Sequence, residues 1–397
     1  MRRIALAALT CAASACVAPA ATDDAGADPD AWTCPPSLCP PPTPDTVDLL
    51  LVVDDSTSMA VHQARLVDQL PHLVEALMTG TQADGTHFTP PRSLHLGIVS
   101  TDMGVGGVTG LPSCGPGVGD DGILLSRSQR PAMGCASEYA GTYPRGIFDT
   151  AQGATTSHAQ FATDVSCVVA LGTGGCGIEL PLEALLKAVA PAPDANAVST
   201  VSWTRAGYRP PIFFGNTFGH GADPATNGGF VRPSSVLAFL TIGDEDDSST
   251  DQFEIFSATD PRYTSVELDV RQVVFADQLY PVTRYVDGLI GLRQAPSWLV
   301  FETITGVPTE LDGHTPMEVL TDPRMAPWID PAQPNRIASV CTEPTSMQAA
   351  TPGLRMVGVA EGLRMAGAQA RVHSICAADL RGAIDDLVSA IAVPLTP

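Results

Sequence analysis

Five short runs constrain this sequence more than anything else in it. VDLLLVV (47–53), SLHLGIVS (93–100), VLAFLTI (236–242), WLVFETIT (298–305) and RVHSI (371–375) are mostly apolar and lack the in–out alternation of a strand with one wet face. Runs of this kind are buried on both faces, as in parallel sheets covered by helices. Between them, apolar residues recur at helical spacing over 59–78, 160–171, 180–189, 265–292, 353–365 and 377–391. The alternation predicts an α/β chain, a doubly wound, mostly parallel sheet flanked by helices in the Rossmann-like manner. Pro71 and Pro281 fall inside helical patterns and are expected to kink or divide them.

With 397 residues, 44% of them hydrophobic, there is material for two or three domains or one elaborated one. The formal charge of −22 argues against nucleic acid and anionic membrane surfaces as partners, since both require basic patches, and it suits a protein that recruits cations. Gly (36) and Pro (35) are abundant, and two Gly/Pro/Asn-rich stretches, 103–156 and 191–234, read as insertions. Loops so long inside a compact domain are usually functional or disordered; a disulfide in the first predicts that it is ordered.

The N-terminus reads as an export signal: Arg2 and Arg3 precede an apolar segment too short to span a bilayer. Two cleavage readings stay open. Ala13-Ser14-Ala15-Cys16 resembles a bacterial lipobox, which makes 1–16 the signal and Cys16 a lipidated outer-membrane anchor. Ala18-Pro19-Ala20 instead fits the A-x-A site of a secreted protein. Residues 17–46 are an Ala/Asp/Pro/Thr-rich linker, a polyproline-like stalk that would reach up to roughly 90 Å. The domain proper is 47–395, and the lipid is its one expected attachment to a membrane.

Excluding Cys11 and Cys16, the remaining cysteines form an even set, which in an exported chain predicts disulfides. Nearest-neighbour pairing gives Cys34–Cys39, Cys114–Cys135, Cys167–Cys176 and Cys341–Cys376. A zinc site would need C-x2-C spacing, which is absent.

Ligands of a doubly wound sheet bind outside the carboxyl ends of its strands. Asp54, Ser56 and Ser58 follow the first run directly, and Asp244 to Asp247 follow VLAFLTIG. Carboxylate and hydroxyl oxygens without His or Cys suit a hard divalent cation, Mg²⁺, Ca²⁺ or Mn²⁺. The plainer reading is that Asp and Ser cap a helix starting near Met59 and that GDEDDSST is a solvated turn. Both segments following buried strands in this order favours the cation.

LLLVVDDSTSM resembles the opening motif of a von Willebrand factor A domain, whose D-x-S-x-S begins the metal-ion-dependent adhesion site; VLAFLTIGDEDD is similar to that family's later strand ending in a metal-site Asp. The likeness runs by element order over most of 47–395. It implies Asp54, Ser56, Ser58 and Asp244 as ligands, some through water. The family also supplies a Thr before its third helix, and Cys176 stands at that place here. Thr173 and Glu179 are the substitutes, with Glu179 preferred; a first-turn acid complementing the helix dipole is its plainer role. Glu179 as a ligand would strengthen cation holding and weaken attraction for a carboxylate-bearing partner.

Gly172-x-Gly174-x-x-Gly177 matches a dinucleotide fingerprint but follows a helical stretch instead of a strand. His373 near Cys376 suggests a Cys/His nucleophile, although Cys341 is the simpler partner for that cysteine. The sequence therefore predicts a divalent-cation-dependent adhesion or protein-binding module at the cell envelope, not an enzyme. Its ligand is an unidentified protein or surface group, carboxylate-bearing in the family pattern. A structural lipoprotein whose ion only stabilises the fold is the alternative, and a metal-dependent hydrolase a third.

Overall fold

A computed structural model describes residues 43–396, apart from 112, 116, 131–133, 152–156, 193–201, 205–207 and 330. The signal, Cys16, nearly all of the linker and Cys34–Cys39 lie outside the described residues. Among the described residues no helix is long and apolar enough to cross a membrane.

In chain order the strands are β1 (Thr46–Val53), β2 (Ser93–Ser100), β3 (Phe148–Asp149), β4 (Val236–Ile242), β5 (Leu299–Thr305), β6 (Cys341–Thr342), β7 (Ala349–Ala350) and β8 (Gln369–Ser374). The α-helices are α1 (Ala60–Thr79), α2 (His158–Val169), α3 (Pro181–Val189), α4 (Arg271–Val274), α5 (Thr283–Ile290), α6 (Pro316–Thr321), α7 (Leu354–Met365) and α8 (Arg381–Leu395). Six strands form one sheet in the order β3-β2-β1-β4-β5-β8, parallel throughout except for β3. The parallel α/β sheet is as expected, and β3 was invisible in the sequence because two residues carry no periodicity.

The two faces divide the residues of β1. Val47, Leu49, Leu51 and Val53 pack with α1, α2 and α8, while Leu50 and Val52 pack with α3, α5 and α7. Burial on both faces is why VDLLLVV is continuous. Its exception, Asp48, is fully buried and held by Arg232 Nε (2.7 Å) and N–H (2.6 Å) and by the hydroxyl of Ser235. That group anchors the end of the sheet away from Asp54.

Pro71 does not divide α1, which runs unbroken through it. The helical pattern at 265–292 is a correction: it resolves into short turns, α4 and α5. Its middle is pulled off the helical path because Tyr280 N–H donates to Ser249 O (3.0 Å) and Thr250 Oγ1 donates to Gln278 O (2.7 Å). Residues 306–353, which hold the small β6–β7 hairpin, form a third long insertion that the sequence did not reveal.

Two of the expected disulfides are also corrected. Cys114 pairs with Cys176 and Cys135 with Cys167, not Cys114 with Cys135 and Cys167 with Cys176; Cys341–Cys376 is present. Nearest-neighbour pairing weighs loop closure alone. Here the first insertion folds back over the sheet, so its cysteines meet α2 and the loop before α3. That insertion is thus tied to the body at both of its cysteines.

Candidate metal centre

The β1 ladder runs one residue past the strand, Asp54 N–H donating to Ile242 O at 3.0 Å. The chain then turns sharply, because Asp54 Oδ1 accepts the N–H of Ser56 at 2.7 Å. Asp54 Oδ2 is left buried without a hydrogen-bond partner. Next along the sheet, Gly243 N–H donates to Ile304 O (3.2 Å), and a Cβ on Gly243 would stand 3.3 Å from Asp54 Oδ2. The following residue, Asp244, has a buried unpartnered Oδ1 and accepts a hydrogen bond from Ser58. Ser56 and Ser58 hydroxyls lie 3.3 Å apart. Neither caps a helix: the turn Thr57–Met59 and α1 both start without a side-chain capping bond. The capping role expected for these hydroxyls is therefore not filled.

Asp54, Thr101, Glu179 and Gly243 line a cavity of about 10 Å³ at the strand ends, room for one water-sized occupant. Exposure is 1% for Asp54 and Thr101, 2% for Asp244 and 4% for Glu179. Burial, then the charge of Asp244, pushes Asp54 well above the carboxylate range. Burial, then Glu245 and Asp54, does the same to Glu179, and burial raises Asp244. Burial, then the charges of Asp244 and Asp269, raises Glu245 to about 7, although the residue as a whole keeps an exposed face. No cationic side chain is among these causes. Buried charge of this kind is costly unless it is paired, protonated or metal-bound.

The dipole role open to Glu179 is already taken. Asp247 Oδ1 accepts Leu182 N–H (3.1 Å), and Ser249 Oγ accepts Glu183 N–H (3.2 Å). Thr173 is exposed and does not line the cavity, so the structure does not bring it to the other candidates. Cys176 is committed to its disulfide. Thr101 was missed: its buried Oγ1 lacks a partner and faces the cavity with Asp54 and Glu179. Its one mark in the sequence is its place, directly after the second strand as Asp54 follows the first.

The rest of the acidic run is spent on structure. Asp246 accepts Arg355 N–H (2.9 and 3.1 Å) at the start of α7, and Asp247 accepts Arg355 Nε at 3.0 Å. The chain before α7 closes tightly on this loop: Thr351 N–H donates to Asp244 O (2.9 Å), and a Cβ on Gly306 would lie 1.7 Å from Thr351 O. Only glycine fits there. Asp55, outside the ligand pattern, has its Oδ1 buried and unpartnered, and burial with the charges of Asp102 and Asp120 raises it to about 7.

Among the described residues no group of three or more His, Cys, Asp and Glu could by itself hold a metal ion. An ion at these strand ends would therefore depend on the hydroxyls as well as on Asp54 and Asp244. The orphaned oxygens Asp54 Oδ2, Asp244 Oδ1 and Thr101 Oγ1 fit that hard-oxygen chemistry. Comparison with family models and with curated proteins finds no match to this chain.

Proposed function

We propose that this chain is a divalent-cation-dependent adhesion or protein-binding module of the bacterial cell envelope, built on a von Willebrand factor A type domain. The observation that carries the reading is the set of buried, unpartnered oxygens at the ends of β1, β2 and β4. Asp54 and Asp244 would hold Mg²⁺, Ca²⁺ or Mn²⁺ with Ser56, Ser58 and Thr101, directly or through water, and Glu179, which lines the same cavity as Asp54 and Thr101, would add charge. Such an ion supplies neutralisation and a coordination position for a partner's oxygen. The signal and lipobox read from the sequence support attachment to the envelope.

A second reading, in which the ion only stabilises the fold, is favoured by the depth of the site: its candidate carboxylates are all but fully buried. The hydrolase reading has less behind it, because Asp246 and Asp247 are committed to Arg355. Calorimetric titration of the mature chain with Ca²⁺ and Mg²⁺, beside pull-downs from envelope extract with and without chelator, separates the first two. Saturable ion binding lost in Asp54→Ala and a chelator-sensitive partner support the module. Ion binding without any such partner supports the structural role, and unchanged titration in Asp54→Ala overturns both.

A further inference from the structure

Beside the strand-end carboxylates lies a larger cavity of about 200 Å³. Leu111, Ile178 and Leu268 form its apolar wall together with Cys114 of the Cys114–Cys176 disulfide. Thr57 borders it between the candidate ligands Ser56 and Ser58, and Ile178 immediately precedes Glu179, so cavity and candidate metal centre share a boundary. Leu111, Cys176 and Ile178 belong to a packed apolar cluster with Phe253 and Phe256. The wall is backed by a core and is not a loose loop surface.

The rim has one sign of charge. Asp269 is exposed at the cavity mouth and close enough to act electrostatically on Glu245, which is exposed beside Asp244. Behind them stand Asp54, Asp244 and Glu179, which burial drives toward the neutral form when no ion is bound, so the charge of the rim rests chiefly on Asp269. Among the described residues no Lys, Arg or His lines the cavity. Arg271, two residues beyond Asp269, is buried and donates to the carbonyl oxygens of Val266, Ile255 and Ser257. A carboxylate-bearing partner meets repulsion here, and a basic one meets attraction.

We infer that this face binds a basic segment of a partner protein, with one apolar side chain seated in the 200 Å³ cavity and a flanking Lys or Arg over Asp269 and Glu245. The inference deepens the cation-dependent reading and rests on it, since an ion at Asp54 and Asp244 would fix the Thr57 turn that walls the cavity.

The test uses the mature chain in Ca²⁺ and three short peptides carrying a neutral dye: GKLKG, GELEG and GKGKG, read by anisotropy. GKLKG binds saturably, GKGKG binds at least about tenfold more weakly for want of its apolar side chain, and GELEG does not saturate. Asp269→Arg, an exposed change, weakens GKLKG by about three-fold or more. Leu111→Trp, which fills the cavity, removes the advantage of GKLKG over GKGKG. Preference for GELEG, equal binding of GKLKG and GKGKG, or no binding of any peptide overturns the inference. Ca²⁺ calorimetry on the same samples keeps the two readings apart. Ca²⁺ uptake without peptide binding leaves the cation reading standing, whereas GKLKG binding that persists in chelator without Ca²⁺ uptake overturns the cation reading and leaves the cavity assignment.

Discussion

Asp54 and Asp244 stand at the ends of the neighbouring parallel strands β1 and β4, and each keeps one buried carboxylate oxygen with no hydrogen-bond partner. Their register follows from the sheet itself, since Val53 pairs with Ile242. Asp54→Asn removes one charge from this group with little change of shape. If the site holds an ion, divalent-cation affinity drops at least about tenfold while the chelated protein melts at or above the wild-type temperature, because a costly buried charge has gone. Calorimetry and thermal melts of both proteins in Ca²⁺ and in chelator check the two halves separately.

The pH dependence of the metal-free protein has a defined sign. Burial raises Asp54, Glu179 and Asp244 above their unfolded values, so the folded state binds protons more tightly than the unfolded one. Stability from these groups is fully present below the ordinary carboxylate range and is lost as pH rises through the raised values. The chelated protein is therefore expected to melt higher at about pH 5 than at about pH 8. Saturating Ca²⁺ should raise the pH 8 melt most, because the ion does there what protons do at pH 5. Melts at both pH values with and without Ca²⁺ provide the check; an equal Ca²⁺ effect at both would count against this site.

The limits of the sequence reading are physical ones. The parallel strands were legible because burial on both faces writes an unbroken apolar run, and Asp54 and Asp244 were legible because they follow such runs directly. Glu179 was harder: its place depends on Cys176 being tied to Cys114, a contact across a long insertion that spacing does not encode. Asp246 and Asp247 could be read only as part of an acidic turn because Arg355, their partner, lies over a hundred residues away. Thr101 was passed over because a lone hydroxyl after a strand says little until its neighbours are known.

The disulfides offer a check on the insertion. Peptide mapping of the unreduced protein should recover Cys114 linked to Cys176 and Cys135 linked to Cys167. Replacing both Cys114 and Cys176 by Ser opens a loop with a sequence separation of 62 and is expected to cost roughly 2–4 kcal/mol in chemical denaturation. Recovery of a Cys114–Cys135 peptide would instead support the nearest-neighbour pairing.

Away from the candidate centre, His373 on β8 is buried among three carboxylates. Nε2 lies 3.1 Å from Glu302 Oε1 on β5 and 3.2 Å from Asp386 Oδ2 on α8, and Nδ1 lies 3.1 Å from Asp312 Oδ1 in the loop before α6. Burial opposes the charged ring, but hydrogen bonds to Asp312 and Asp386 and the charge of Glu302 outweigh it and raise His373 to about 10. Glu302 is itself raised to about 8 by burial, and the imidazolium is the firmer charge because three carboxyl groups face it. A raised histidine stabilises the fold fully below its unfolded value, near 6.5, and that contribution is lost as pH rises through about 10. His373→Gln takes a buried imidazolium away from Asp312 and Asp386, while Glu302, raised to about 8, stays largely protonated at neutral pH; it should cost roughly 1–2 kcal/mol there, with a smaller difference from wild type above about pH 10. Denaturant unfolding of both proteins across pH 6 to 10.5 tests this directly: a difference that stays constant over that range would mean that His373 is neutral in the folded protein and that the cluster is held by packing alone.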